Sequence, residues 1–89
     1  MDLDRIKVRI REFASRPKNI GFDELETFLT NHISPLFKNF NHHGKGSHNA
    51  FTVGSCTFNI PSHRPFVKRI YVEKFLDAMT VLGLYDPED

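Results

Sequence analysis

The strongest candidate for a chemical site is a histidine preceded by two glycines, a lysine and a serine. The segment reads Gly44-Lys45-Gly46-Ser47-His48. Glycine lets a backbone approach a phosphodiester closely, and lysine offsets part of its negative charge. An imidazole accepts or donates protons near neutral pH, since its unperturbed pKa is about 6.5. These residue types indicate His48 as a general acid or base in RNA cleavage. A solvated histidine beside a glycine turn is the plainer interpretation, and it stays open at this point.

Further groups that could act on RNA follow in the second half of the chain. His63 and Arg64 come after the last predicted strand and could reach the same face as His48. There His63 would supply a second proton-transfer group, while Arg64 and Lys68 would bind phosphates. For Lys68, an ordinary basic loop before a helix is an equally good interpretation.

The remaining histidines and the cysteine indicate no metal chemistry. His42 and His43 are adjacent, so on a strand they would point to opposite faces and could not act together. We expect both to be structural or solvated. No Cys-x-x-Cys or His-x-x-x-His pair is present, and Cys56 is the only cysteine. We therefore expect neither a metal site nor another cofactor.

Positive charge is concentrated in the middle of the chain, although the net charge is only +1. Residues 34–74 contain six lysines and arginines against one glutamate, and they hold four of the five histidines. Residues 17–33 and 75–89 are acidic on balance. A polyanion would therefore meet the stretch that carries the histidine segment. An ordinary mixed-charge surface is the alternative, since a sequence does not show which charges cluster in space.

Length and composition predict a single globular domain over residues 1–89. The chain is 39% hydrophobic and 26% charged, which is typical of soluble folded proteins. No apolar run approaches the roughly 20 residues needed to cross a bilayer, so we expect no signal peptide and no membrane contact. One cysteine forms no intrachain disulfide, and we expect a cytoplasmic protein.

Hydrophobic periodicity predicts three helices. The first follows Asp2 as its N-cap and ends before Pro17. A short alternation over residues 6–11 would also suit a strand, but the longer helical period is preferred. The second helix is predicted over residues 22–32, and the third over residues 70–82 with Gly83 just beyond its end.

Three strands are predicted between the second and third helices, over residues 36–42, 50–53 and 56–60. Glycines 44 and 46 are expected to interrupt the first strand, and Gly54-Ser55 is a type II′ hairpin signature. Alternation places Phe51 and Phe58 toward the core and His48 on the opposite, polar face. The order of elements predicts an α+β domain with helices packed on one face of an antiparallel sheet.

These motifs, in this order, resemble the HicA family of small RNA-cleaving toxins. The resemblance covers nearly the whole chain and is most specific between residues 44 and 79. It is carried by Gly-Lys-Gly-Ser-His at 44–48, the hairpin, Ile-Pro-Ser-His at 60–63 and Tyr-Val-Glu-Lys at 71–74. Residues 19–26, Asn-Ile-Gly-Phe-Asp-Glu-Leu-Glu, look like the first-helix entry of a subgroup with an N-terminal extension.

The resemblance implies a fold like that of double-stranded-RNA-binding domains, with the order α-β-β-β-α over residues 19–85. Residues 1–18 would add an N-terminal helix. It also implies an endoribonuclease that cleaves mRNA independently of the ribosome, with His48 as the catalytic residue. A neutralising antitoxin of the HicB type would cover this histidine.

The expected site therefore has one catalytic residue and a set of RNA-binding residues. The RNA-binding set is Lys45, Gly46, Ser47, His63, Arg64 and Lys68. Two alternatives use the same sheet face without catalysis. One is an RNA-binding module, and the other is a protein-interaction domain.

Overall fold

Three helices and a three-stranded antiparallel sheet form an α+β fold, as the sequence predicts. The computed structural model describes residues 2–88. The sheet has the order β1-β2-β3, so β2 is central. The elements are α1 (Leu3–Ser15), α2 (Phe22–Phe28), β1 (Phe40–Lys45), β2 (His48–Val53), β3 (Cys56–Asn59) and α3 (Arg69–Val81). Within residues 2–88, no helix combines the length and the apolar character required to span a bilayer.

Helix α1 begins and helix α3 ends within about a residue of the predicted positions, and each of these two ends is well capped. The Asp2 carboxylate accepts a hydrogen bond from the Arg5 amide at 2.9 Å. At the end of α3, Gly83 has a φ of 78°. The Leu84 amide donates to the Met79 carbonyl at 2.9 Å, which closes a Schellman motif.

The second predicted helix is α-helical only as far as Phe28. Residues Leu29–Ile33 form a π-helical turn, and Ser34–Leu36 form a 3₁₀ turn. Pro35 explains the change, because it has no amide hydrogen and its ring would crowd the carbonyl of Asn31 in an α-helix. The wider turn still keeps Leu29 and Ile33 fully buried.

Strand β1 differs most from its predicted bounds. It begins at Phe40 and runs through Gly44 to Lys45, so the prediction that Gly44 interrupts the strand is wrong. Only Gly46 leaves the strand, with a φ of 64° in a two-residue turn with Ser47. The predicted Gly54-Ser55 turn is confirmed, with Gly54 at a φ of 59°. Strand β3 ends at Asn59, one residue before the predicted end.

Edge-to-face aromatic contacts hold the helices on one face of the sheet. The Phe75 ring of α3 lies 6.0 Å from Phe13 of α1, 6.4 Å from Phe28 of α2 and 6.3 Å from Phe58 of β3. These centroid distances are typical of favourable aromatic pairs. Phe75 therefore joins all three helices to the sheet, and the other sheet face is left open.

Helix α1 is part of this core and is fastened to α2 by ion pairs. Its buried residues are Ile6, Ile10 and Phe13. The Arg16 guanidinium pairs with Glu12 at 2.6 Å and with Glu24 of α2 at 2.8 Å. The pKa of each carboxyl is held below its ordinary value, mainly by the Arg16 hydrogen bond.

Candidate active site on the open sheet face

The open face of the sheet carries polar side chains, while the covered face carries the aromatic core. On β2, Phe51 and Val53 are fully buried on the helix side. His48, at the start of the same strand, is exposed on the opposite side. The alternation predicted from the sequence is confirmed here, because successive side chains of a strand point to opposite faces.

A shallow groove of about 500 Å³ crosses the open face at the β1–β2 hairpin. Lys45 pairs directly with His48, and His43 pairs with Ala50 two residues further along. Ala50 also pairs with Asn59 of β3. The small Ala50 side chain forms the floor, so the longer side chains around it form the walls. The lining residues are His43, Gly44, Lys45, His48, Ala50 and Asn59.

No carboxylate lies in the sheet. The sequence contains no aspartate or glutamate between Glu26 and Glu73, and this interval includes all three strands. None of the groove-lining residues is acidic, and Lys45 contributes a positive charge. The groove therefore presents a field that attracts anions such as phosphodiesters.

The turn beside the groove is held in place by the chain that follows β3. The Ser47 carbonyl accepts a hydrogen bond from the Ser62 amide at 2.8 Å. Gly46 adopts a conformation that side chains rarely tolerate, and no atom lies within 4 Å of the position of a Cβ there. The backbone at Gly46 is therefore open to close approach by a ligand, as the sequence suggested.

His42 has a structural role on the covered side of the same hairpin. Its ring stacks on Phe51 with centroids 4.2 Å apart and an interplanar angle of 13°. Its Nε2 lies 3.0 Å from the Asn49 Oδ1, and an amide oxygen can only accept, so His42 donates. Its Nδ1 lies 3.7 Å from a Glu26 carboxylate oxygen of α2. The expectation that His42 is structural is confirmed.

The chain at His63 passes close to His48, since the Ser62 amide is bonded to the Ser47 carbonyl, but His63 and Arg64 line a different pocket. They line a small pocket of about 110 Å³ at the start of α2, together with Asp23 and Glu24. The Arg64 guanidinium is 4.0 Å from Asp23, and the His63 Nδ1 is buried without a hydrogen-bond partner among residues 2–88. This pocket shares no lining residue with the His48 groove.

The structure therefore places the predicted site residues at three positions. Lys45 lines the groove beside His48, and the Gly46-Ser47 turn connects their strands. His63 and Arg64 lie together at the start of α2, and Lys68 is an exposed residue at the N-cap of α3.

Two groove residues, His43 and Asn59, were not predicted as site residues. The sequence predicts His43 to be structural or solvated, because it stands beside His42 at the end of the first predicted strand and no turn is predicted at Gly46-Ser47. The signal was present, since Gly46-Ser47 has the same residue types as Gly54-Ser55, which was recognised as a hairpin turn. With that turn, the register would have placed His43 on the His48 face.

The groove contains no arrangement of metal ligands within residues 2–88. Among residues 2–88, no group of three His, Cys, Asp or Glu side chains is arranged to hold a metal ion. The carboxyls of Glu12 and Glu24, whose pKa values are lowered, belong to the contact between α1 and α2. Those shifts therefore describe the stability of the fold.

No protein-family model, no curated protein and no solved structure matches the chain.

Proposed function

We propose that this protein is an mRNA-cleaving toxin of the HicA type, in which His48 is a catalytic acid or base. One observation carries the proposal. His48 lies exposed on a sheet face that has no carboxylates, directly opposite Lys45 and next to the open backbone of Gly46. This combination places a proton-transfer group, a positive charge and an accessible backbone around one small groove.

The proposed reaction is attack of a ribose 2′-oxygen on the neighbouring phosphorus. The bond from phosphorus to O2′ forms and the bond to O5′ breaks, which gives a 2′,3′-cyclic phosphate and a 5′-hydroxyl. His48 either removes the 2′-hydroxyl proton or gives a proton to the leaving O5′. Lys45 stabilises the negative charge that builds up on the phosphoryl oxygens.

The architecture supports the same proposal. From α2 to α3 the elements follow the order α-β-β-β-α, which is compatible with a fold like that of double-stranded-RNA-binding domains over residues 19–85. Helix α1 would then be the N-terminal addition. Lys45, Gly46 and Ser47 would contact the scissile phosphate, while His63, Arg64 and Lys68 would contact other parts of the RNA.

A HicB-type antitoxin in the cytoplasm is proposed as the protein partner. It would neutralise the toxin by covering the open face around His48. The helices of this chain pack on the opposite face of the sheet, which leaves the His48 side free for such a contact.

Cleavage of a fluorescent single-stranded RNA by purified protein tests the proposal. We expect His48→Ala to lower the rate by about 10²- to 10⁴-fold, the usual contribution of a general acid or base. His32→Ala, at a histidine outside the groove, is the matched control and should cleave normally. An RNA with 2′-deoxyribose at the scissile position should resist the wild-type protein.

Three other results would point elsewhere. Undiminished cleavage by His48→Ala would overturn the proposed catalytic role. Tight RNA binding without cleavage by the wild-type protein, weakening steeply with salt, would favour a non-catalytic RNA-binding module. No affinity for RNA even at low salt would favour a protein-interaction domain.

A further inference from the structure

We infer that His43 is the second proton-transfer group of this site, acting with His48 on one phosphodiester. The inference rests on the proposed ribonuclease function and extends it to the partner residue. Cleavage by this route requires two proton transfers, one from the 2′-hydroxyl and one to the leaving O5′. A single histidine would have to perform both in sequence, whereas two histidines on opposite sides of the phosphate perform them together.

The register of the hairpin places the two histidines on the same face. His43 lies opposite Ala50, and His48 lies two residues before Ala50 on β2. His43 and His48 are therefore diagonal neighbours across β1 and β2. Diagonal neighbours on adjacent strands are about 7–8 Å apart, a distance that aromatic and long side chains can span. Both histidines are exposed and line the same groove.

The residues between the two histidines suit a bound phosphate. Ala50, at the floor, is too small to fill the space between the imidazoles. Lys45 lies opposite His48 and two residues beyond His43, so it adjoins both. A phosphate seated over Ala50 would have an imidazole on two sides and an ammonium group near its oxygens.

The other candidates for the second group are less suited. A lysine ammonium has no lone pair to accept a proton and is a much weaker acid than an imidazolium, so Lys45 suits neither proton transfer as well as a histidine does, and the Asn59 amide does not exchange protons in this way. His42 faces the helices, where its ring is stacked on Phe51. His63 lines the separate pocket at the start of α2. His43 is therefore the partner that the groove itself provides.

The proton balance of the pair is complete. One imidazole takes the proton of the 2′-hydroxyl as the bond from O2′ to phosphorus forms. The other, protonated beforehand, gives its proton to O5′ as the bond from phosphorus to O5′ breaks. The two imidazoles have then exchanged protonation states, and buffer restores them. No oxidant, reductant or other co-reactant is needed.

The first test compares His43→Ala and His48→Ala on ordinary RNA. We expect each to lower the cleavage rate by about 10²- to 10⁴-fold while RNA binding and thermal unfolding stay close to those of the wild type. Thr57→Ala, on the same sheet face but outside the groove, is the control and should cleave normally.

The second test uses an RNA in which sulfur replaces the bridging 5′-oxygen at the scissile phosphate. A thiolate is a far better leaving group than an alkoxide, so it departs without a general acid. We expect this substrate to restore near-wild-type cleavage to only one of the two single variants. The restored variant is the one that lacks the acid, and the other lacks the base.

The possible results distinguish the role of His43 from the proposed ribonuclease function. Normal cleavage of ordinary RNA by His43→Ala, with His48→Ala inactive, would overturn the role of His43 and leave the ribonuclease proposal standing. Sulfur substitution that restores both variants, or neither, would also overturn the pairing. Normal cleavage by His48→Ala would overturn the catalytic role of His48, on which both the proposed mechanism and this inference rest.

Discussion

The Asn49 side-chain oxygen lies so close to Gly44 that a Cβ at position 44 would be only 2.9 Å from it. The same oxygen accepts the hydrogen bond of His42, on the strand opposite. Gly44 has no positive φ, so its backbone conformation does not require glycine. Glycine fits at position 44 because the side-chain amide of Asn49 occupies the space that a Cβ would fill. The two glycines of the histidine segment therefore have different roles, since only Gly46 opens the turn.

Gly44→Ala should destabilise the protein by about 1–3 kcal/mol, the usual cost of inserting a methyl group into a packed site. The reason is that Asn49 must move away from His42. The effect should nearly vanish in an Asn49→Ala background, where the clash is absent. Urea denaturation of the four proteins of this cycle measures the coupling.

Gly46→Ala is the contrasting variant for that cycle. Its Cβ would meet nothing within 4 Å, but its φ of 64° is unfavourable for alanine. It should cost about 1–2 kcal/mol in both backgrounds. Equal costs of Gly44→Ala with and without Asn49 would contradict the steric explanation.

Ala50→Leu should fill the floor of the groove and abolish RNA cleavage. The new side chain points away from the core, so the thermal unfolding midpoint should change little. A displacement of the reacting groups by an ångström can lower a rate by about 100-fold, and we expect at least that loss. Thr52→Leu, two residues further along the same face, is the control. Cleavage by Ala50→Leu at the wild-type rate would exclude the groove as the place of reaction.

Lys45→Ala should weaken RNA binding and make it less dependent on salt. Removing one phosphate contact lowers the slope of log K against log salt by roughly 0.7 for a single strand. Lys38→Ala removes an equal charge just before β1, outside the groove, and should leave the slope nearly unchanged. Binding titrations at several salt concentrations measure both slopes. The prediction fails if the two variants behave alike.

Acidification should lower the free energy of unfolding because it weakens the ion pair between α1 and α2. The pKa of Glu24 is lowered from 4.5 in the folded protein, mainly by the Arg16 hydrogen bond. Because the pKa of Glu24 is lower in the folded protein, the unfolded chain binds the proton first as the pH falls. The stabilisation by the ion pair is therefore complete above about pH 4.5. It is lost as the pH falls through the lower pKa of the folded state. Because the side chain is more than a third exposed, solvent screening limits the contribution to under about 1 kcal/mol.

Glu24→Gln should therefore flatten the dependence of the urea midpoint on pH below about 4.5, compared with the wild type. Glu88→Gln, at an exposed position near the C-terminus, should leave that dependence as it is. Added salt should reduce the difference between wild type and Glu24→Gln. If the urea midpoint of wild type and of Glu24→Gln changes equally with pH below about 4.5, the ion pair does not contribute to stability.

Phe75→Ala should cost about 3–5 kcal/mol of the free energy of unfolding, because the ring contacts aromatic side chains of α1, α2 and β3. Ile70 lies on the same helix but is 58% exposed, so Ile70→Ala should change stability by about 0.5 kcal/mol or less. Chemical denaturation of the two variants gives the comparison. Similar small effects would mean that α3 is held on the sheet by other contacts.

The sequence predicted the parts of the fold that carry local signals. Helices α1 and α3 have caps at Asp2 and Gly83 that identify their ends within about a residue. The alternation of β2 is strong enough to place His48 on the polar face. Strand β1 has a weaker signal, since none of its residues is fully buried and only Phe40 on its covered side is apolar, followed there by His42 and Gly44.

The rest of the site depends on contacts between distant parts of the chain. His43 enters the groove only through its register with β2, and that register follows from the Gly46 turn. His63 was expected near His48 because it follows the sheet closely in sequence. The chain instead turns toward the start of α2, where the Val67 amide donates to the Ile20 carbonyl. The Gly46-Ser47 turn is a local signal from which the position of His43 follows, whereas no local pattern indicates the position of His63.

The absence of carboxylates between Glu26 and Glu73 gives the two sides of the molecule different responses to acid. The strands contribute no carboxylate to the open sheet face, so acid breaks no ion pair between them. At the contact between α1 and α2, each proton removes part of an ion pair. Acidification should therefore weaken the contact that holds α1 on the core without removing an ion pair from the open face. A nucleic acid bound to that face would then support the fold under the conditions in which the free protein is least stable.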